Sequence, residues 1–335
     1  MDKKILIVSN SYDIHADLVM EKLQARGVEV FRLNQDNFPR DYGIAIQHGV
    51  SNVSCELGQL KSGQSLNLLD VGAIWTRKPA PFRFISDDLP AQERAFANAE
   101  TAHLFNSILF SLDGFWMNHP KANRTALWKG EQLQRAAKFG FRVPRTLISN
   151  DPEQVRQFKQ VLPGEMIVKT LSSASLSVED VEPEFRQAGS LMTTIVDEQH
   201  MTSIDAVREL PCLFQEYVPK QYELRVTIIG QQVFAARIDS QRDQRTAIDY
   251  RDFSVDIPYQ PERLSSELQT RCLGFVESYG LSYGAMDLIV TPDNEYVFLE
   301  NNPSGQFLFI EQLVPELSMS DAVTDLLIRQ SRQRR

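Results

Sequence analysis

At 335 residues, with 42% hydrophobic and 24% charged residues, the chain has the composition of an ordinary globular protein with core enough for two or three domains. The net charge of −9 argues against generic attraction to nucleic acid or to an anionic membrane surface. No stretch approaches the roughly 20 apolar residues of a membrane span, and the start runs from Lys4 straight into ILIV without a signal-peptide core, so a cytoplasmic location is expected. Cys55, Cys212 and Cys272 suit neither a disulfide framework nor a zinc knuckle, and His15, His48, His103, His119 and His200 never fall at metal-ligand spacing.

The first forty residues read β-α-β: a strand from Lys4 to Ser9, an amphipathic helix from Ile14 to Arg26 ended by Gly27, and a strand from Val28 to Leu33. The turn after the first strand, Ser9-Asn10-Ser11-Tyr12-Asp13, lacks the glycines that let a backbone approach a pyrophosphate, and Asp36 alone does not make a ribose site, so a nicotinamide cofactor is not expected. Short strands at 44–47 and 73–76 and a long helix from Ala91 to Leu112 close a first unit, 1–115. The second, 116–213, contains a helix over 123–140 stopped by Gly140, a strand Glu165–Leu171, a Ser- and Glu-rich mobile loop over 172–190, and a strand Leu191–Val196. The third, 214–335, begins within the strand Cys212–Val218. It carries a hairpin of 223–229 and 232–238 turned at Gly230-Gln231, a helix over 261–280, a second hairpin of 285–290 and 296–300, and a last helix over 320–330 before a frayed basic tail, Arg329–Arg335.

The second hairpin permits a geometric argument. With its loop centred on Asp293-Asn294, Thr291 pairs with Tyr296 and Asp287 falls opposite Glu300, while Asn302 shares the face of Glu300. Facing carboxylates repel in a bare sheet, and a hard divalent cation held partly through phosphates removes that objection. A register shifted by one residue would instead leave both acids on a solvated face. On the first reading, Glu300→Gln relieves repulsion and leaves the nucleotide-free fold no less stable.

Asp287-Leu-Ile-Val followed by Phe298-Leu299-Glu300-Asn301-Asn302-Pro303-Ser304-Gly305 resembles the magnesium end of ATP-grasp ligases. Further pieces fall in that family's order: Lys129 and Lys169, resembling its phosphate-contacting lysines; Gln215-Glu216-Tyr217-Val218, resembling the linker that reads the adenine edge; and Glu223, resembling the ribose-binding acid. Within the superfamily the likeness narrows to the graspetide synthetases, microviridin-type macrocyclases of ribosomal peptides. It is carried by the ILIV…D-x-H start, Trp75-Thr76-Arg77-Lys78-Pro79, Glu223-Leu224-Arg225-Val226, Asp249-Tyr250-Arg251 and Tyr283-Gly284-Ala285-Met286-Asp287, and it departs from the family pattern at Thr76, Lys78, Tyr250 and the 172–190 segment.

The resemblance implies an α/β (α+β) ATP-grasp architecture: an N-terminal open α/β pre-ATP-grasp domain, then a central and a C-terminal subdomain that sandwich ATP, the central one docking a leader peptide. It implies ATP and Mg2+ as cofactors, with magnesium on Asp287, Glu300 and Asn302, and a ribosomal precursor peptide, leader plus core, as partner. ATP phosphorylates an Asp or Glu side chain of that peptide, and a Thr or Ser hydroxyl or a Lys amine displaces the acyl phosphate to close an ester or amide ring. Arg225 is assigned to the acyl phosphate, and Arg77, Asp249 and Arg251 to the catalytic group. Competing expectations are an ATP-grasp ligase that joins an amino acid to a small carboxylate or protein tail, and a catalytically silent peptide-binding homologue. A homodimer is left open.

Overall fold

The computed structural model describes residues 3–49, 53–172 and 192–333; the loop expected over 172–190 lies, beyond its first residue, outside them. β1 (Lys4–Ser9) leads through Asp13, whose carboxylate accepts from the His15 N–H, into α1 (Ile14–Ala25), and Gly27 at φ +72° turns the chain back into β2 (Val30–Asn34). Asp36 accepts from the Ser11 N–H at 2.9 Å and from its hydroxyl, so it braces the β1–α1 turn. β3 (Tyr42–His48), β4 (Val53–Gln59) and β5 (Ser65–Asn67) form a separate antiparallel sheet. β6 (Val71–Thr76), buried at every position, then pairs with β1. α2 (Ala91–Ser111) precedes β7 (Phe115–Met117), which straddles the division expected at residue 115 and completes a parallel sheet of order β2-β1-β6-β7.

The helix expected over 123–140 is two helices, α3 (Pro120–Thr125) and α4 (Lys129–Lys138). They separate because the Ala126 carbonyl is bonded by the Gln132 side chain and Trp128 is extended, which leaves Lys129 as the first residue of α4. The central sheet combines β8 (Thr146–Ser149), β9 (Met166–Lys169), β10 (Thr194–Ile195) and β11 (Cys212–Glu216) in antiparallel order β10-β9-β11-β8. α5 (Pro152–Val161) and α6 (Glu198–Thr202) accompany it, and Val155 packs with Met166, Val196 and Phe214 in its core.

The C-terminal sheet is antiparallel: β12 (Tyr222–Ile229), β13 (Gln232–Ile238), β14 (Tyr259–Pro261), β15 (Tyr283–Val290) and β16 (Tyr296–Asn302), in order β14-β13-β12-β15-β16. Alternate residues Leu224, Val226, Ile228, Met286 and Leu288 pack with Leu133 of α4 and with Phe275 of α7 (Ser266–Glu277), leaving Glu223, Arg225 and Asp287 on the other face. The helix expected from residue 261 starts later, because Tyr259–Pro261 pairs with β13 and the Ser265 hydroxyl caps α7. After α8 (Leu308–Leu313), α9 (Met319–Gln333) returns to the N-terminal unit, where its Val323 and Leu327 share one apolar cluster with Ile5, Leu23 and Ala73. The basic tail expected to fray from Arg329 is helical through Gln333. No described helix is long and apolar enough to cross a membrane.

The decisive local feature is a bulge in β16. Thr291 does not pair with Tyr296: its N–H closes the turn on the Glu295 carbonyl, and Val290 takes Tyr296 as partner. That register alone would put Leu299 opposite Asp287. Leu299 is instead an extra, unpaired residue between Phe298, opposite Leu288, and Glu300, opposite Asp287. The expected Asp287–Glu300 pairing therefore holds, reached by a different turn and one inserted residue. Were Leu299 paired with Asp287 in a regular ladder, Glu300 would fall opposite Met286 and point into the core.

Candidate active site

A cleft of about 750 Å³ is lined by residues of β9 and β11 from the central sheet, β12, β15 and β16 from the C-terminal sheet, the start of α4, and loop 248–251. Lys129, Lys169, Gln215, Glu216, Tyr217, Val218, Glu223, Asp287, Glu300 and Asn302 all line it, as do Asp249 and Arg251. Arg225 and Arg77 do not. Arg225 lies behind Asp287, and Arg77 is buried at the end of β6, where it donates to the Ser304 carbonyl.

One part of the lining is apolar, with Ile167, Val218, Ile289 and Leu299, and can take a flat base. Near it the Lys220 ammonium donates to Glu223 Oε1 at 2.8 Å and to the Ile248 carbonyl at 2.9 Å. Burial raises the Glu223 pKa, and Lys220 opposes that rise. Lys220 carries no signal in the sequence, because its ion pair with Glu223 falls between the Pro219 bend and the start of β12, with no helical or strand periodicity to announce it.

The charged part is built from pairs. Arg225 Nη1 reaches both Asp287 oxygens, at 3.0 and 2.9 Å, and the Tyr250 hydroxyl donates to Asp287 Oδ1 at 3.2 Å. Lys129 Nζ lies 3.3 Å from Glu300 and donates to the Thr170 carbonyl at 2.9 Å. Burial raises the Asp287 pKa and Glu300 adds to this, with Arg225 opposing. Burial acts the same way on Glu300, but Lys129, Lys169 and Arg251 outweigh it and hold Glu300 below its ordinary value. The repulsion anticipated between the two acids is thus answered by protein cations, and this balance favours the opposite outcome for Glu300→Gln: without the counter-charge of two lysines the nucleotide-free fold is expected to be less stable.

Asp249 and Arg251 are bonded to each other, with Arg251 Nε 2.8 Å from Asp249 Oδ1, and Asp249 also accepts from the Thr193 N–H at 3.2 Å. The pair braces the loop that carries Tyr250. Gln132, one turn after Lys129, donates to the Asn301 carbonyl at 2.9 Å and accepts from the Asn301 N–H at 2.7 Å, clamping α4 to β16. Sequence reasoning missed it because its partner lies 169 residues away.

Asp287, Glu300 and Asn302 offer oxygen donors only, the chemistry that suits magnesium shared with phosphates. Among the described residues no group of three or more His, Cys, Asp or Glu is placed to hold a metal by itself, so such an ion would need further oxygens from water or its nucleotide.

The pre-ATP-grasp domain of MvdD, as a family, matches residues 4–124. No curated protein matches the chain. Among solved structures, the macrocyclase MdnC of Microcystis aeruginosa MRC, bound with precursor peptide MdnA, is 30% identical at a TM-score of 0.85, over 97% of this chain and 99% of that one. A RiPP-associated ATP-grasp ligase of Chryseobacterium gregarium, in complex with ADP and a leader and core peptide, is 28% identical at a TM-score of 0.87, over 98% and 97%. The macrocyclase MdnB of Microcystis aeruginosa MRC is 28% identical at a TM-score of 0.79, over 97% and 99%.

Two outcomes follow from the pairs. Gln132→Met keeps the side-chain volume but leaves the buried Asn301 N–H without its acceptor, so urea unfolding should show a loss of about 1–3 kcal/mol. Burial works against the Asp249 carboxylate, but Arg251 overcomes it and holds Asp249 well below the usual carboxylate range. The stability it contributes is complete above about pH 4 and is lost as pH falls through the depressed value. Asp249→Asn should therefore melt below the wild type at pH 7, and thermal scans should show the gap closing as the pH is taken well below 4.

Proposed function

The chain belongs to the ATP-grasp ligases that modify ribosomal peptides, the graspetide synthetases, and we propose on that footing that it uses ATP to activate side-chain carboxylates of a precursor peptide and links them to Thr, Ser or Lys side chains of the same peptide. The observation that carries this reading is the convergence of Asp287, Glu300, Lys129 and Lys169 at an apolar-walled cleft, in a chain similar along its whole length to a macrocyclase bound with its precursor peptide.

In this reading the apolar wall takes the adenine, the Gln215–Val218 segment its edge, and Glu223 with Lys220 the ribose hydroxyls. Lys129 and Lys169 bring positive charge to the phosphates, where preorganised cations act most strongly in a water-poor cleft. Magnesium on Asp287, Glu300 and Asn302 would neutralise charge on the transferring phosphoryl group. Gln132 keeps Lys129 and Glu300 in register, and Asp249 with Arg251 keeps Tyr250 against Asp287. Arg225 remains our assignment for the acyl phosphate and Arg77 for the catalytic group, each needing to act from outside the cleft lining. The units 1–115, 116–213 and 214–335 are the proposed pre-ATP-grasp, central and C-terminal domains, the central one taking the leader, with each division moved later so that β7 stays with the first sheet and β11, which pairs with β8 and β9, stays with the central one.

The test is incubation with ATP, magnesium and a precursor peptide, to be sought as a short gene rich in Thr/Ser and Asp/Glu codons beside this chain's own. Each link formed should remove one water from the peptide mass and release ADP and phosphate. AMP and pyrophosphate, or an unaltered peptide, would overturn the reading. Glu300→Gln should cut turnover by about 100-fold or more, while circular dichroism shows the fold retained at a lowered melting temperature.

A further inference from the structure

Arg225 and Asp287 face each other across β12 and β15, and their side chains are only 7% and 13% exposed. Both Asp287 oxygens accept from Arg225 Nη1, and Oδ1 accepts also from Tyr250. The other end of the guanidinium donates from Nη2 to the Gln306 carbonyl at 3.1 Å, and its Nε has no partner among the described residues. Gly305 makes the room: a Cβ there would lie 2.7 Å from Arg225 Nη2. The chain thus provides a tailored seat for one cation on the carboxylate proposed to hold another.

A carboxylate carries one negative charge, and it cannot fully neutralise a guanidinium and a divalent ion together in a poorly hydrated site. From this we infer that Arg225 is a metal-responsive positioning residue: it is the counter-ion of Asp287 in the metal-free protein, and it gives up that pairing when a divalent cation binds. The inference rests on the magnesium site of the proposed function. Tyr250 stays with Asp287 through the exchange, because a neutral hydroxyl does not compete for charge, and it keeps the carboxylate aimed at the cleft. The arrangement makes Arg225 available to an anionic substrate only after the metal site is loaded, and it suppresses magnesium binding in the absence of nucleotide.

The test uses the full chain and magnesium alone, followed by titration calorimetry and by thermal shift, with no turnover required. Wild type should bind magnesium alone weakly. Arg225→Gln should bind it about tenfold tighter or more, since the competing charge is gone. Arg225→Lys, which keeps a charge but loses the fork, should move the same way by less, and it serves if Arg225→Gln does not fold. Adding Asp287→Asn to either variant should erase the gain. A fold merely damaged by substitution would bind magnesium no better, so variants with affinity equal to or below wild type overturn the inference. Stabilisation of the wild type by magnesium with ADP is measured in parallel. If that fails, the nucleotide-site reading falls; if it succeeds while the variants show no gain, only the exchange falls.

Discussion

Two carboxylates held side by side on one face of a sheet, Asp287 and Glu300, set the terms for the rest of the molecule. Alone they would repel, and the structure answers with a cation from each direction. Arg225 comes from the neighbouring strand, Lys129 from the start of α4, and Lys169 and Arg251 from the central sheet and the loop at 249–251. These belong to separate stretches of chain. The charge balance at the hairpin therefore exists only when the units are assembled, and it couples their docking to the electrostatics of the cleft.

Polar side chains bonded to distant backbone do much of the assembling. Asn118, just past β7, donates to the carbonyls of Tyr283 and Pro303 and accepts from the N–H groups of Ser282 and Tyr283. His15 Nε2 accepts from the Phe307 and Leu308 N–H groups, at 3.3 and 3.2 Å. Burial lowers the His15 pKa, which favours the neutral ring that this acceptor role demands, while Asp13 opposes the shift and faces its other nitrogen. Each contact satisfies backbone groups that burial would otherwise leave costly. The Ser304–Leu308 segment next to the hairpin is thereby fixed by the N-terminal unit as well as by its own sheet.

Much of the fold was legible because apolar periodicity is a local property. β1, α1, β6 and α2 emerged close to their true bounds, as did both C-terminal hairpins. The failures have local causes too. A side chain, Gln132, takes the Ala126 carbonyl and splits one expected helix, and a short edge strand, Tyr259–Pro261, occupies what looked like a helix start. In the site, most residues carried by motif resemblance fell together in the cleft, but Arg225 and Arg77, carried the same way, did not line it, and Lys220 and Gln132 carried no signal. Tyr250 was visible only as a departure from a pattern; its hydroxyl on Asp287 gives that departure a physical content.

By itself, the sequence determined most of the order of elements, the alternation that puts Glu223 and Arg225 on one face of their strand, and the set of residue types that can meet phosphate and magnesium. These follow from spacing along a single strand or helix, which is fixed by backbone geometry. The tertiary structure alone decided which cation answers which acid, because a guanidinium on one strand and an ammonium on a remote helix find their partners only through packing. It also decided the register at Glu300. Because Leu299 is left unpaired in a bulge, that carboxylate faces the cleft instead of the core, and whether a strand accommodates such a residue depends on the neighbour it pairs with.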